Sequence, residues 1–267
     1  MAQRGRVAIV TGGGRGLGRA MALGLSRAGW RVAVTAARAR DEIEAVAREA
    51  PQGEIYPVVA DVSRESACAA LIKDVEARLG PVDVLVNNAG RGMRYVSERF
   101  LVEPTRFWET EPETWRTIIE TNVNGPFFMA RAVVPGMIAR RWGRVVNVSM
   151  NNETMRRRGF SPYGPSKAAL ESETIIWAQD LTGTGVTVNA LLPGGATLTG
   201  MIPNEVPPEL PAKLLSPEIM VPPLLWLVSE SSDGVTGRRL NASRWDADLD
   251  PAAAAAKATE PAGWGAA

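Results

Sequence analysis

The stretch "RVAIVTGGGRGLG", Arg6–Gly18, decides the fold. Val7 to Val10 is a run of small and branched apolar residues, the pattern of a central strand buried on both faces of a sheet. A glycine-rich turn, Thr11 to Gly18, follows at once, and a helix is predicted from about Gly16 to Ala28. Strand, glycine turn and helix form the opening unit of a parallel sheet wrapped by helices. The same alternation continues outward, with strands predicted at Arg31 to Thr35, near Ile55 to Ala60, and at Val82 to Asn88. One long helix is predicted over Pro112 to Ala139, opened by "PETW" and followed by Gly143. Strand "RVVNVS", helix "YGPSKAALESETIIWAQDL" and strand "VTVNALLPGG" complete the pattern. The expected architecture is a single α/β domain, a doubly wound parallel sheet with helices on both faces.

Composition narrows the function. The chain has 267 residues, enough for one large core, and a net charge of +1 that gives no support for nucleic-acid or membrane-surface binding. It has no histidine, which removes His-based catalysis and nearly all zinc chemistry. The single cysteine, Cys68, excludes an internal disulfide and fits a reducing compartment. No leader pattern precedes the first strand and no apolar run reaches spanning length, so a cytoplasmic protein is expected. The domain is expected over residues 1–245, with substrate loops at 91–110 and 195–216. The tail at 246–267 is low in complexity and is expected to be disordered or to dock on another subunit.

The glycine turn is a candidate cradle for a pyrophosphate. Glycines allow close approach of the backbone, and the helix N-terminus offers free N–H groups to an anion. Its place at the first strand–helix junction is what gives the pattern weight. The end of the second strand reports on the nucleotide, because an acid there would bond a ribose 2′-OH and repel a 2′-phosphate. Here "VAVTAARAR" is neutral at Ala36 and Ala37, while Arg38 follows and Arg15 sits in the glycine turn. A planar guanidinium fork suits a phosphate, so NADP(H) is favoured over NAD(H).

With these elements in place, the chain resembles the short-chain dehydrogenase/reductase family, whose fold is Rossmann-type. The likeness rests on "TGGGRGLG", Asp61-Val62, "NNAG" at Asn87 to Gly90, Asn122, "YGPSK" at Tyr163 to Lys167, and "PGG" at Pro193 to Gly195, in that order along the chain. The resemblance implies a cofactor cleft drawn from Gly12, Arg15, Gly16, Leu17 and Gly18 of the turn, together with Arg38, Asp61 and Val62. It adds Asn88, Ala89 and Gly90, then Pro193 and Gly194, with Thr197 or Thr199 at the nicotinamide carboxamide. Tyr163 and Lys167 also belong to this set. Asn122 is implied to anchor a water leading from Lys167 to solvent.

The catalytic reading has a physical side. Tyr163 and Lys167 lie four apart, on one face of a helix. An ammonium beside a phenol lowers its pKa, and the phenol can then exchange a proton with a carbonyl or alcohol oxygen. Family members usually carry Ser or Thr at the end of the fifth strand, and here that slot holds Met150, one residue after Ser149. A thioether cannot donate a hydrogen bond. Either a local bulge turns Ser149 inward, or Asn151 or Asn152 supplies the donor, or Tyr163 works alone.

The substrate side is expected to be apolar. Met93, Tyr95, Phe100, Phe107, Trp108, Met150, Met155, Phe160, Leu198 and Met201 fall in loops beyond the strand ends. Arg156 to Arg158 could attract an acidic substrate, and "PNEVPPELPAKLLSPE" reads as a proline-stiffened lid. The leading expectation is an enzyme interconverting a ketone and a secondary alcohol on a mostly apolar small molecule, as a homodimer or homotetramer, without nucleic-acid or membrane partners. The alternatives are a non-redox enzyme on the same scaffold (isomerase, dehydratase or cyclase), motivated by Met150, and a cofactor-binding protein without turnover.

Overall fold

A computed structural model of the chain describes residues 5–50 and 55–263. In chain order the main elements are β1 (Val7–Val10), α1 (Gly16–Arg27), β2 (Arg31–Ala36), α2 (Arg40–Glu49), β3 (Ile55–Val59), α3 (Glu65–Leu79) and β4 (Val82–Asn87). Then follow α4 (Pro112–Ile119), α5 (Gly125–Ala139), β5 (Gly143–Val148), α6 (Asn152–Met155), α7 (Tyr163–Asp180) and β6 (Val186–Leu192). The chain closes with α8 (Val221–Leu227), β7 (Arg238–Asn241), α9 (Pro251–Ala258) and β8 (Thr259–Pro261).

The strands form one sheet in the order β3-β2-β1-β4-β5-β6-β7-β8. All neighbours are parallel except β7 and β8. Strand β1 shows why such a sheet needs cover on both sides. Ala8 and Val10 pack into one apolar layer with residues of α1 and α8, while Val7 and Ile9 enter the other with α3 and α5. The strand order reverses between β1 and β4, and ligands of such sheets bind outside the carboxyl ends at this switch point.

Two expectations change. The helix expected over 112–139 is two helices, α4 and α5, joined by a π-helical turn at Glu120–Asn124. Turns of this kind interrupt the regular backbone ladder and often mark functional positions. The described part of the tail forms a helix and a strand that pack on its own chain. Asp250 caps α9 by accepting from the N–H groups of Ala252 and Ala253, Ala254, Ala255 and Ala258 are buried, and β8 adds antiparallel to β7. Alanine is the strongest helix former and its small side chain allows close packing, which the low complexity of the segment concealed. Residues 264–267 of the tail lie outside the described residues. Among the described residues, no helix is long and apolar enough to cross a membrane.

Candidate active site

A cavity of about 700 Å³ opens at the switch point. One half is the glycine turn. Gly18 is buried, and a Cβ there would stand 2.2 Å from the Gly12 carbonyl oxygen and 2.5 Å from Asn88 Nδ2, so only glycine fits. Asn88 holds the turn from the other side, its Nδ2 donating to the carbonyls of Thr11 and Gly12 at 2.9 and 3.0 Å. The Thr11 hydroxyl accepts the N–H groups of Asn88 and Ala89, both at 3.0 Å. Helix α1 starts with no acidic residue in its first turn and no side-chain cap, which leaves its N-terminus free for an anion.

Arg15 and Arg38 are exposed at the rim of this half, and Ala36 and Ala37 line it. Arg38 has no carboxylate partner among the described residues. Arg15 does: its Nη1 lies 3.5 Å from Glu42, a residue of α2 that also lines the cleft. Glu42 escaped the sequence reading because it lies beyond the strand end where the acid is normally sought. Asp61 and Val62 border the same space. Burial pushes the Asp61 carboxyl up, but hydrogen bonds from the Ser63 hydroxyl and N–H outweigh this and leave it below its ordinary value.

Tyr163, at the start of α7, and Lys167, one turn later, form the floor. Lys167 is buried, and its Nζ donates to the Val148 carbonyl at 2.7 Å. Burial lowers the lysine to about 8, with Glu171 opposing the shift. Burial also pushes the Tyr163 phenol up to about 12. The expected depression of the phenol by Lys167 is not found, and burial alone sets the direction of its shift. Asn122 lies in the π-helical turn. Its Oδ1 accepts the Arg91 N–H at 2.8 Å, and its Nδ2 donates to the Arg91 carbonyl at 3.0 Å and the Ser166 hydroxyl at 2.9 Å. It thus ties the segment after Gly90 to the first turn of α7.

The end of β5 answers the question of the missing serine. The strand stays regular, and the Ser149 N–H continues the ladder to the Leu191 carbonyl at 2.9 Å. No bulge turns Ser149 inward. Ser149 borders the cavity, but its hydroxyl is committed as a donor to the buried Glu171 carboxylate. Asn151 lines the cleft, but its amide donates to the Gly194 carbonyl at 2.8 Å. Asn152 is bound to Arg239 and to the Gly263 carbonyl. Met150 occupies the slot and packs with Met93, Phe100, Met155, Phe160 and Tyr163.

Gly194 shows how tightly the opposite wall is built. Its φ is +90°, and a Cβ would meet Asn241 Oδ1 and Ser243 Oγ, each at 2.1 Å. Pro193, Thr197 and Thr199 line this wall. The loop beyond it folds back on itself through a bridge between Thr197 and Leu215, and the Leu198 N–H donates to the Leu215 carbonyl.

The apolar wall differs in membership from the expected one, and Leu101, Ile202 and Leu210 join it. Met93, Tyr95, Phe100, Phe160 and Met201 line the cavity, and Phe100 meets Phe160 edge-on at 5.7 Å. Phe107 and Trp108 do not; they pack edge-on against each other, each 67% exposed. Leu198 faces solvent and Met155 lies behind the wall. Of the three consecutive arginines only Arg157 borders the cavity, with its guanidinium 5.4 Å from the Phe160 ring centre.

Comparison with known proteins places this geometry. The family model described as short chain dehydrogenase matches residues 6–209. The chain is 35% identical over 246 residues to an acetoacetyl-CoA reductase of Shinella zoogloeoides, covering 89% of this chain and 97% of the relative. It is 34% identical over 189 residues to the 3-oxoacyl-[acyl-carrier-protein] reductase FabG of Staphylococcus epidermidis, covering 70% and 73%. Among solved structures, a metagenomic short-chain oxidoreductase in complex with NADP superposes with a TM-score of 0.71 at 30% identity, covering 85% of this chain and 92% of that one.

Proposed function

The chain belongs to the short-chain dehydrogenase/reductase family and is an oxidoreductase of CH–OH and C=O groups, and on that premise we propose that it reduces a ketone to a secondary alcohol on a mostly apolar small molecule, reversibly, with NADP(H) preferred to NAD(H). The carrying observation is the floor of the cleft, where Tyr163 and Lys167 stand between the glycine cradle and the apolar wall. The turn at Gly12 to Gly18 and the open N-terminus of α1 fit a pyrophosphate. Neutral Ala36 and Ala37, and Arg38 with no carboxylate partner among the described residues, favour a 2′-phosphate over a bare ribose. Thr197 and Thr199 are the contacts proposed for the carboxamide. When bound, the nicotinamide supplies or accepts the hydride.

Tyr163 keeps its proton throughout the neutral range, since burial holds the phenol up to about 12, and this suits a donor to a carbonyl oxygen. Lys167, one turn later on the same helix, brings positive charge to the floor of the cleft. Asn122 fixes the segments that frame the lysine. Ser149 is left out of the catalytic set because its hydroxyl is turned to Glu171. Tyr163 therefore works without a serine partner. The relatives act on 3-oxoacyl thioesters by their names, which makes these the first substrates to try. Homodimers or homotetramers fit the exposed Trp115, Phe127 and Ile176 on the long helices. A cytoplasmic location fits the single, buried Cys68.

The test follows NADPH absorbance against 3-oxoacyl thioesters and apolar ketones. The native chain is expected to form alcohol one-for-one with NADPH consumed, and Tyr163→Phe to lose about 10²–10⁴-fold in kcat while NADPH still binds. NADPH binding without any carbonyl changing its redox state would contradict the proposal. Met150 favours one second reading, an isomerase, dehydratase or cyclase on the same scaffold. Product formed without net change in nicotinamide, and without transfer of label from deuterated NADPH, would support it.

A further inference from the structure

A buried group of charges lies beneath Lys167, outside every motif of the sequence. Glu171 stands one helical turn after Lys167, and the two residues are 0% and 3% exposed. The Glu171 carboxylate accepts the Ser149 hydroxyl on one oxygen and the Gly263 N–H at 3.0 Å on the other. Arg239 of β7, also buried, lies with Nε 3.8 Å from Glu171 and 3.4 Å from Glu260 of β8. Its Nη2 donates to the Met150 carbonyl at 2.7 Å, and its Nη1 donates to Asn152. One arginine thus joins α6, α7, the end of β5 and the C-terminal strand.

Stability alone does not call for this arrangement, because well-packed apolar residues replace a buried ion pair at little or no cost. The position of the pair gives it a second use. Burial disfavours the Lys167 ammonium, and the opposite charge of Glu171 counteracts that effect. Arg239, 3.8 Å from the same carboxylate, opposes that help, and the remaining charged groups around Lys167 do not compete. Glu120 of the π-helical turn and Glu153 of α6 are exposed, and the Arg91 Nε is bound to Thr121. Arg144 of β5 reaches Asp233, and Tyr163 is neutral below about 12.

We infer that Glu171 is a positioning residue whose carboxylate, anchored by the Ser149 hydroxyl and the Gly263 N–H and shared with Arg239, supports Lys167 on the floor of the cleft. The inference rests on the reading of Tyr163 and Lys167 given above, and its test separates the two. The chain has four lysines, Lys73, Lys167, Lys213 and Lys257, so lysine labelled with ¹³C at Cε gives few signals, and Lys167→Met assigns the one required. The protein is titrated without cofactor or substrate as native, Glu171→Gln, Arg239→Met and the double variant.

The Lys167 midpoint is expected near 8 in the native chain and at lower pH in Glu171→Gln, with the other three signals unmoved. Arg239→Met, which keeps the carboxylate, is expected to hold the midpoint or raise it. Glu171→Gln/Arg239→Met, which removes the Arg239 charge together with the carboxylate and guards against a single variant that does not fold, follows Glu171→Gln. In turnover, the alkaline limb of kcat is expected to move to lower pH in the same two variants. An unchanged Lys167 midpoint in Glu171→Gln and in the double variant overturns the inference, and so does a midpoint that moves while the limb of kcat stays. Absence of turnover in the native chain on every carbonyl would instead contradict the proposed reaction, which the titration does not depend on.

Discussion

At the glycine turn the chain works by leaving side chains out, whereas beneath Lys167 it works by burying charges together. Gly18 meets the Gly12 carbonyl so closely that one added carbon would have 2.2 Å to stand in. Glu171 and Arg239 fill their space, and each is held by several partners from distant parts of the chain. The two regions should therefore fail differently. A steric cradle fails on addition of any side chain. A charge cluster fails when one partner is removed and survives when both are, because the cost lies in the charge left unpaired.

The largest expected effect separates these modes. Arg239→Met should lose about 3–5 kcal/mol in urea denaturation, while Glu171→Gln/Arg239→Met should lose clearly less than that. Equal losses in the single and double variants would mean that packing, not charge, holds this region. Gly18→Ala should cost about 1–3 kcal/mol by overpacking, with NADPH binding weakened in calorimetry beyond what the loss of stability explains. No second substitution at a titratable group should rescue it. The smallest effect concerns the rim of the cradle, where charge is exposed. Arg38→Ala should weaken NADPH by about 10-fold and leave NADH unchanged, and the difference should shrink at high salt. Salt should have little effect on the cluster under Lys167.

The same contrast explains what was legible in the sequence. The cradle is contiguous, so Gly12 to Gly18 carry their meaning side by side, and the strands around them follow from apolar runs. The polar cluster is assembled from Ser149, Glu171, Arg239, Glu260 and Gly263, which no local pattern joins. Two signals were nonetheless present: Glu171 falls one turn after Lys167, and "GRRLN" puts a charge where a glycine-rich ending is usual. The tail misled because alanine-rich sequence reads equally as disorder or as a closely packed helix. The regular path of β5 decides the orientation of Ser149, and only the ladder to β6 fixes it. The phenol of Tyr163 departs from the sequence expectation for a similar reason. Its spacing to Lys167 is visible in "YGPSK", but the burial that raises it is not.

The central claim is that this scaffold reduces a carbonyl with Tyr163 as proton donor and with methionine where a serine would stand. The measurement that addresses it most directly is kcat with NADPH on one carbonyl substrate for the native chain and for Met150→Ser. The account predicts turnover by the native chain, and a gain of up to about 100-fold in Met150→Ser as a hydrogen-bond donor to the substrate oxygen is restored. Turnover by Met150→Ser alone, with none in the native chain, would contradict it and assign the native cleft to chemistry without net redox change.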